Sequence, residues 1–464
     1  MILKVNKRIL VTNLIMCLFL NFSYAQEPKK ELPCIPEGQK NFRAYYTRLN
    51  YTEEWEQNWR VGEFADILVT FDNSDIGFIF WRGTNYIPQW ITENGIWYNN
   101  QFVERRGRGI KETTGCVEPM SDKQCRYSHA RIIENNEARK IIHWRYAPVD
   151  VEYNHPFVDS VTGWYDWVDE YYIIYPDAVA TRSATLYSTG INEFADWQES
   201  IVVHQPGKYP EDNLEDAAVS ISNLQGEVTH LSWPKDTSPL DSLPTNSCIQ
   251  LVNTRSIMKP FIVIPPDSGL NIRAFRGQSP NTIYRHWDHW PVSQDKSWGR
   301  HAQDNSTPSH TSLTYWKGWN PSATTENSKT YVMMHGMTGK EIGQLTNLAK
   351  SWLHPANINS ISSGYVFDGY DKQQRAFSFT SATSNPKQPL QYKVEASKEN
   401  PLHNPVFIIH NWGNNKAKIE LEGSSQIIED IRQDIEFDLD GNSLVIWLKT
   451  EVLKEVYFSI SPIR

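Results

Sequence analysis

The sequence has few cysteines and fewer basic than acidic residues. Five cysteines occur among 464 residues, with no C-x-x-C pair and no Cys/His spacing typical of a zinc site. The 45 lysines and arginines are outnumbered by 54 aspartates and glutamates, which gives a net charge of −9. An acidic surface argues against nucleic acid and anionic membranes as partners, because both need a basic footprint. A locally basic cleft can still bind an acidic sugar, since the local field decides what a cleft holds.

Motifs of several reaction classes are also missing. The sequence contains no G-x-S-x-G elbow, phosphate loop, H-E-x-x-H or dinucleotide fingerprint, which argues against acyl transfer and nucleotide chemistry. The segment at 286–290 pairs two histidines with an aspartate, but in a strand His286 and His289 would point to opposite faces. Neither a bound metal nor a cofactor is therefore indicated. Glycoside hydrolysis needs two carboxylates at a suitable separation, and nothing marks any two of Glu93, Asp166 and Glu170 as a pair.

The N terminus has the order of a cleavable signal peptide. Lys4, Lys7 and Arg8 precede an apolar stretch over residues 9–19, and small residues follow at 23–25. This pattern predicts a signal peptide over residues 1–25 and a periplasmic or secreted protein. The apolar stretch is shorter than the ~20 residues that span a bilayer, and no later stretch is long enough.

Export favours oxidation of the four cysteines that follow the predicted signal peptide. Cys34, Cys116, Cys125 and Cys248 allow two disulfides, of which Cys116–Cys125 closes the shortest loop. Four buried thiols are the alternative. The Cys116–Cys125 bridge is the pairing that we predict.

Strand signals dominate the chain. Short segments rich in β-branched and aromatic residues are bounded by Gly, Pro, Asn or Asp. The predicted strands are 67–71, 76–82, 130–133, 140–146, 171–175, 180–187, 200–204, 249–253 and 261–264. One helical pattern occurs, at 339–352, where apolar residues recur with helical spacing. The sequence therefore predicts an all-β protein with a helical insertion near 339–352. A boundary in the polar stretch before 400 separates a β domain over 26–395 from a small C-terminal β domain over 400–464.

The clearest local element is a hairpin over residues 126–147. A two-residue turn at Asn135 and Asn136 would place Ser128 opposite His143 and Arg126 opposite Arg145. Parity then sorts the ribbon into two faces. One face carries Arg126, Ser128, His143 and Arg145, and the other carries Tyr127, His129, Ile142, Trp144 and Tyr146.

Each of these faces carries a candidate catalytic group. His143 and Arg145 lie about 7 Å apart along one strand face. Imidazole can accept a proton α to a carboxylate, while guanidinium stabilises the enediolate charge that builds on the acid. The rival set is His129 with Tyr127 and Tyr146, because a phenol can protonate a departing oxygen. A structural, hydrogen-bonded histidine is the alternative for either set.

Carbohydrate is the binding partner that the aromatic content suggests. The chain has 18 tryptophans, many in polar surroundings, and an indole beside polar groups offers a sugar ring a stacking face and hydrogen bonds. Any single tryptophan could instead fill the core. The candidate substrate-binding residues are Arg82, Asn85, Tyr86, Glu93, Trp97, Trp164 and Tyr171.

Several of these stretches resemble one group of secreted enzymes. The stretches are Trp81-Arg82-Gly83-Thr84-Asn85-Tyr86, Glu118-Pro119-Met120-Ser121-Asp122-Lys123, Tyr127-Ser128-His129, His143-Trp144-Arg145-Tyr146 and Asp169-Glu170-Tyr171-Tyr172. They are similar to ulvan-degrading enzymes of marine bacterial polysaccharide-utilisation systems, which act on a sulfated uronate-rhamnose polymer. The resemblance implies β-elimination on a uronic acid, which leaves a 4,5-unsaturated sugar.

Two enzymes of this chemistry differ in the group that leaves from C4. We expect an oligosaccharide dehydratase, which expels water from a terminal uronate, because the chain has an ordinary signal and no evident sorting module. An ulvan lyase, which cuts the chain, is the alternative, and a non-catalytic periplasmic glycan-binding protein is an alternative of another class. In each case the partner is an acidic, sulfated oligosaccharide or polysaccharide.

For the fold, long strands such as 169–187 without blade repeats favour a large antiparallel super-β-sandwich of the mutarotase type with a small C-terminal β-sandwich, and a β-propeller is the alternative.

Overall fold

The computed structural model describes residues 31–36, 38, 40–50, 64–100, 102–105, 113, 116–122, 124–232, 243–274, 308–422 and 427–463. The predicted signal peptide and the segment at 286–290 lie outside these residues. Among the described helices, none combines the length and the apolar character needed to cross a membrane.

The strands before residue 340 are short segments in which β-branched and aromatic residues predominate. In chain order they are β1 (Arg43–Thr47), β2 (Asp66–Thr70), β3 (Gly77–Phe80), β4 (Pro88–Ile91), β5 (Trp97–Asn100), β6 (Glu104–Arg105), β7 (His129–Asn135), β8 (Lys140–Tyr146), β9 (Trp167–Ile174), β10 (Val179–Tyr187), β11 (Ala195–Asp196), β12 (Gln198–His204), β13 (Leu214–Ser222), β14 (Val228–Leu231), β15 (Ile249–Thr254), β16 (Lys259–Val263), β17 (Asn271–Ala274), β18 (Ser309–Lys317), β19 (Ala323–Thr324) and β20 (Ser328–Thr338). Among the described residues of this region, one short helix, α1 (Pro210–Asn213), and two 3-10 turns, Arg82–Thr84 and Pro119–Ser121, interrupt them.

The remaining elements follow a helical segment. A 3-10 turn, Ile342–Leu345, leads into α2 (Thr346–Leu353). The strands after it are β21 (Asn357–Asn359), β22 (Tyr365–Asp371), β23 (Ala376–Ser381), β24 (Leu390–Glu395), β25 (Leu402–His403), β26 (Val406–His410), β27 (Ala417–Glu422), β28 (Asp430–Glu436), β29 (Ser443–Lys449), β30 (Glu451–Val452) and β31 (Val456–Pro462).

Two large sheets form the first sandwich. The eight-stranded sheet has the order β1-β2-β3-β4-β5-β12-β18-β17 among the described strands, and the ten-stranded sheet has the order β14-β13-β15-β16-β20-β10-β9-β8-β7, with β19 beside β20. Their facing sides carry the largest core cluster, which includes Phe78, Trp90, Trp144, Tyr172 and Trp316. Alternation along each strand directs these side chains inward and leaves every second residue on the outer face.

A second, smaller sandwich follows. One sheet has the order β21-β24-β31-β27 and the other the order β22-β23-β26-β29-β28 among the described strands. Phe379, Tyr392, Phe407 and Phe458 fill the space between them. The expected boundary at 395–400 is therefore corrected, since these sheets already include β21 to β24 from Asn357 onward. The polar stretch that suggested the boundary contains a largely exposed loop, 382–389, which links β23 of one sheet to β24 of the other.

These sheets confirm the predicted fold class. The described strands form layered, open antiparallel sheets in a large and a small sandwich, with one parallel pair, β23 and β26. They do not form the blades of a propeller. The predicted helical insertion is also present. Leu345, Leu348 and Trp352 pack on Phe261 and Met334, which belong to the ten-stranded sheet.

The hairpin of β7 and β8 exists, but its predicted register is wrong. Arg131 lies opposite His143, and His129 lies opposite Arg145, whereas the sequence placed Ser128 and Arg126 there. The chain reverses later than expected, because the Asn136 side chain accepts hydrogen bonds from the amides of Ala138 and Arg139 at 2.9 and 2.8 Å. A bulge between Ile132 and Glu134 shifts the register again.

Candidate functional site

His143 and Arg145 lie on the outer face of the ten-stranded sheet. Their neighbours on β8, Ile142, Trp144 and Tyr146, point into the core and are fully buried. The predicted sorting of β8 residues into two faces is thus observed, although the register to β7 differs. The strand pairing places Tyr171 beside His143 and Asp169 beside Arg145 on the same outer face.

Asp169 connects the two candidate catalytic residues. Its Oδ1 lies 2.7 Å from His143 Nε2 and 3.9 Å from Arg145 Nε. The guanidinium of Arg145 also lies over the ring of Trp167, 5.0 Å from its centroid. The Arg145 side chain is 42 % exposed, whereas that of Asp169 is 15 % exposed. The Arg145 guanidinium therefore faces solvent, and the less exposed Asp169 carboxylate lies beneath it.

His143 itself is enclosed. Arg131 Nε–H donates a hydrogen bond to His143 Nδ1 at 3.1 Å, and the imidazole stacks on Tyr171 with centroids 4.6 Å apart. Since Nδ1 accepts, the neutral ring carries its proton on Nε2 and donates it to Asp169. Both ring nitrogens are engaged, so His143 orients Asp169 and presents no free lone pair to a substrate in this arrangement.

A recess of about 550 Å³ opens beside Arg145 and Asp169. Its other walls are aromatic and hydroxyl-bearing side chains: Trp164, Tyr165, Trp167, Tyr187, Thr162, Ser188 and Thr189, with Asp159 and Asn327. The volume lies within the ~300–1,000 Å³ of small-molecule sites.

The loop over residues 150–166 forms one side of this recess and is held by two aspartates. Asp150 Oδ1 accepts from the amides of Glu152 and Asn154 at 2.9 and 2.8 Å. Asp159 Oδ1 accepts from Thr162 N at 2.7 Å and Thr162 Oγ1 at 2.9 Å, and these bonds lower the pKa of the Asp159 carboxyl. The loop thereby presents Trp164, which is 62 % exposed.

Aromatic rings continue from the recess along the sheet edge. Tyr165 stacks on His155 with centroids 3.6 Å apart and on Trp167 at 5.5 Å. Tyr127 meets the edge of this stack, 4.8 Å from His155, and burial lowers the pKa of His155. Tyr127 thus supports the aromatic wall. His129, exposed on β7, lies against Phe64 at 6.5 Å.

Tyr187 belongs to the recess and was missed by the sequence reasoning. It ends β10, is 46 % exposed, and lies opposite Trp167 of the neighbouring strand β9. Desolvation and the neighbouring Asp169 and Tyr171 raise the pKa of its phenol. The proton therefore stays on the phenol at neutral pH. Thr185 is the cross-strand partner of Asp169, and Tyr187 lies two residues beyond it on the same strand face. The closeness of Tyr187 to Asp169 therefore becomes evident only from the strand pairing.

Tyr146 lies on the opposite side of the sheet. Its hydroxyl donates to Glu170 Oε1 at 2.8 Å and accepts from Val103 N at 2.6 Å. Burial and the Glu170 carboxylate raise the pKa of this phenol far above its usual value. Tyr146 is thus separated from the recess by the sheet, and its assignment as a catalytic group is corrected to a core role.

Four expected substrate-binding residues, Arg82, Asn85, Tyr86 and Trp97, are also interior. Arg82 is ion-paired with Asp66, and Asn85 Nδ2 donates to the carbonyl of Asp122. Glu93 lies on a different turn, where its carboxylate accepts from the amides of Ile257 and Met258. Of the predicted set, the recess is lined by Arg145 and Trp164. His143 reaches it only through Asp169, and Tyr171 stacks on His143 without lining the recess.

The predicted Cys116–Cys125 disulfide is not formed, since both are free thiols. Cys125 is buried, and its Sγ donates to the carbonyl of Arg82 at 3.4 Å. Cys116 faces another way, where its Sγ and carboxylate oxygens of Glu104 and Glu118 lie within 4.8 Å of one another. All three residues have further interactions of their own, so this group does not by itself indicate a metal.

Comparisons with known proteins give distant structural similarity. No protein-family model matches the chain, and no curated protein matches its sequence. A galactose 1-epimerase from Lactobacillus acidophilus is 6 % identical with a TM-score of 0.29, over 64 % of this chain and 99 % of that one. A heparan sulfate lyase mutant from Pedobacter heparinus is 9 % identical with a TM-score of 0.27, over 72 % of this chain and 40 % of that one. An aldose epimerase homologue from C. elegans is 9 % identical with a TM-score of 0.27, over 57 % and 96 %.

Proposed function

We propose that the protein is a carbohydrate-active enzyme that removes water from the non-reducing-end uronate of an acidic oligosaccharide by β-elimination. The observation that carries this proposal is the convergence of Arg145, Asp169 and Tyr187 on a recess with exposed aromatic rings. A uronate offers a carboxylate for the guanidinium and C–H faces for the rings. Ulvan oligosaccharides are the substrate that the sequence resemblance suggests.

The three groups have complementary roles in this reaction. Arg145 binds the substrate carboxylate and stabilises the charge that develops on it as C5 loses its proton. Asp169 accepts that proton, and the C5–H electron pair forms the C4=C5 double bond. The C4–O bond breaks, and the oxygen leaves as water after taking the proton of Tyr187. Transfer of the proton from Asp169 to the Tyr187 phenolate, directly or through solvent, restores the enzyme.

His143 acts through Asp169 in this scheme. Its Nε2–H bond fixes one carboxylate oxygen, which leaves the other for the substrate proton. Arg131 in turn fixes the tautomer of the imidazole. The base that the sequence predicted is therefore proposed as a positioning residue, while Asp169 takes the proton.

The first test is elimination activity. The protein is incubated with ulvan oligosaccharides that end in a saturated uronate and, separately, with ulvan polymer, and absorbance of the unsaturated product is followed together with product masses. We expect absorbance and the loss of one water from the oligosaccharides. Absorbance with shortening of the polymer would identify a lyase instead. No absorbance on either substrate would refute β-elimination and leave glycan binding without catalysis.

Matched arginine variants test the site. Arg145→Met is expected to lower kcat/KM by ~10²–10³-fold, the usual effect of losing one group that stabilises developing charge. Arg126→Met is the control, because Arg126 is an exposed arginine just before β7 that lies over Tyr153 and does not line the recess. Equal activity of both variants and the wild type would place the reaction elsewhere.

A further inference from the structure

The outer face of the ten-stranded sheet continues from the recess towards β7. Strand pairing aligns one row of outward-facing residues across five strands: His129, Arg145, Asp169, Thr185 and Thr330. The next row, about 7 Å further along the strands, begins with Arg131, His143 and Tyr171. Beyond that row the face is covered, because Ile141 and Ile173 pack on the second sandwich.

Two arginines lie on the β7 side of this face. Arg131 and Arg145 occupy diagonal positions on neighbouring strands, because Arg131 lies opposite His143 and Arg145 lies opposite His129. Diagonal neighbours of this kind are about 7–8 Å apart. Asp169 forms ion pairs with His143 and Arg145, and these do not include Arg131. The described part of the β7 side is therefore locally positive in a protein whose net charge is −9.

Arg131 retains N–H groups that can bind a ligand. Its side chain is exposed, and its hydrogen bond to His143 engages Nε. The terminal nitrogens have no acceptor among the described residues, and a guanidinium fork of this kind suits the oxygens of a carboxylate or another oxyanion. On the other side of His143, Tyr171 is 40 % exposed and stacks on the imidazole. The second row thus offers a cation and an aromatic ring to solvent.

The opposite side of the recess is uncharged. Ser188, Thr189 and Asn327 line the recess there, and the hydroxyls of Thr185 and Thr330 lie 2.8 Å apart on the neighbouring strands. These side chains can bind sugar hydroxyl groups but offer no cation. A ligand with a second negative group is therefore attracted towards β7, because the local field decides where a charged group binds.

We propose that Arg131 and Tyr171 form a second subsite beside the recess, which binds an anionic group on the sugar next to the terminal uronate. The substrate class is then an acidic oligosaccharide with negative groups on two consecutive sugars, and its chain runs from the recess across β8 towards β7. Arg145 holds the first anion and Arg131 the second, which is a sulfate ester or a carboxylate. This proposal rests on the function proposed for the recess.

Equilibrium binding tests the subsite without turnover. Tyr187→Phe lacks the proton donor of the elimination scheme, so this variant should bind the oligosaccharides without consuming them. Isothermal titration calorimetry compares three ligands, which are the ulvan oligosaccharides of the activity test, the same oligosaccharides after chemical desulfation, and the same after reduction of their carboxyl groups. Each ligand is titrated into Tyr187→Phe alone and into Tyr187→Phe combined with a second substitution.

The second substitution is made at one of two arginines. Arg131→Gln removes the charge and keeps an N–H donor near His143. Arg273→Gln is the matched control, because Arg273 is an exposed arginine of β17 in the eight-stranded sheet. Its Nε likewise donates to a side chain, Asn271 Oδ1, at 3.3 Å.

Arg131→Gln should weaken binding of the unmodified ligand at least about tenfold, the usual scale for losing one charge-assisted hydrogen bond. This factor should fall below about twofold for one of the two modified ligands, which identifies the bound group as sulfate or carboxylate. Arg273→Gln should leave the affinity for all three ligands unchanged.

Two results would overturn the subsite. One is an affinity for the unmodified ligand that Arg131→Gln leaves unchanged, and the other is an equal loss of affinity for all three ligands, which would indicate a general structural effect. Because binding is measured without turnover, the absence of elimination by the wild type would refute the function proposed for the recess and leave this binding result intact. The two failures are therefore distinguishable.

Discussion

Glu170 illustrates how a charge is held inside the first sandwich. Arg182 Nε and a terminal guanidinium nitrogen donate to its two oxygens at 2.7 and 2.6 Å. The hydroxyls of Tyr146 and Tyr172 donate at 2.8 and 2.6 Å. Every lone-pair direction of the carboxylate is thus engaged on the inner face of β9, the strand that carries Asp169 and Tyr171 on its outer face, so this network holds β9 and β10 in place under the recess.

Removing Arg182 from its buried ion pair with Glu170 should therefore destabilise the protein. Arg182→Met is expected to destabilise the protein by about 3–5 kcal/mol, because it leaves Glu170 as a buried charge without its cation. Lys418→Met, which removes an exposed ion pair with Glu420, should cost less than about 1 kcal/mol. Urea unfolding of both variants measures the difference. Similar midpoints for the two would show that the Glu170 network contributes little.

The residue types of the candidate site could be predicted from the sequence, but their roles could not. His143 and Arg145 share a strand face by parity alone. Arg131 donates to His143 Nδ1 because the hairpin register places the two residues opposite each other. Sequence parity does not determine that register. Asp169 and Tyr187 come from strands paired over longer separations, so the composition of the recess depends on the whole sheet order.

At the scale of elements, every strand predicted from the sequence overlaps an observed strand, but the long strands β13, β18 and β20 were not predicted. Strand pairing was not predictable. Each predicted strand contains apolar and β-branched residues that bury one or both faces, as in β2 and β12. The β7–β8 register differs from the prediction because an asparagine-stabilised turn and a bulge set it. Such local hydrogen bonds outweigh the preference of a two-residue turn that the sequence suggested.

One tight strand contact provides a test of the central pairing. A Cβ at Gly336 on β20 would lie 2.4 Å from the Ala178 carbonyl oxygen and 2.9 Å from the Phe261 ring. Gly336→Ala should therefore push β20 away from β10 and destabilise the fold by about 1–3 kcal/mol. Thermal unfolding followed by near-UV circular dichroism measures this loss.

Gly343 is the matched control for that substitution. It lies in the 3-10 turn before α2, and a Cβ there meets no atom within 4 Å. Gly343→Ala should leave stability unchanged or raise it by about 0.4–1 kcal/mol through the unfolded state. If Gly336→Ala proved as stable as Gly343→Ala, the close approach of β20 to the Ala178 carbonyl would be disproved.

At the scale of the molecule, the two sandwiches are joined by both apolar and charged contacts. Ile173 and Tyr175 of the ten-stranded sheet pack on Val406 and Trp447 of the second sandwich. Ion pairs surround this contact, including Arg139 with Glu436 and Asp177 with Arg375. The outer face of the ten-stranded sheet is thereby divided into a covered part and the open part that holds the recess.

The buried histidines of the first sandwich predict an acid-sensitive fold. Burial lowers the pKa of His204 and of His335 to about 3, whereas an unfolded histidine titrates near 6.5. Below pH 6.5 the unfolded chain binds protons that the folded chain does not, so stability falls as the pH is lowered from 6.5 towards 3. Asp166 acts in the opposite direction. Burial raises its pKa to about 6, whereas an unfolded aspartate titrates at about 3.9. The folded chain therefore binds this proton at a higher pH than the unfolded chain does, and Asp166 stabilises the fold as the pH falls through this range.

A single histidine variant isolates this effect. His335 Nδ1 accepts from Trp90 Nε1 at 2.8 Å, and His335→Gln keeps an acceptor at this position while removing the titration. Between pH 7 and pH 5 the wild type should lose about 2 kcal/mol more stability than this variant, since 1.36 kcal/mol per pKa unit acts over about 1.5 units. Urea unfolding at both pH values measures it, with His129→Gln as the exposed control that should keep the wild-type slope. Equal slopes for all three proteins would mean that protonation of His335 does not limit the acid stability of the fold.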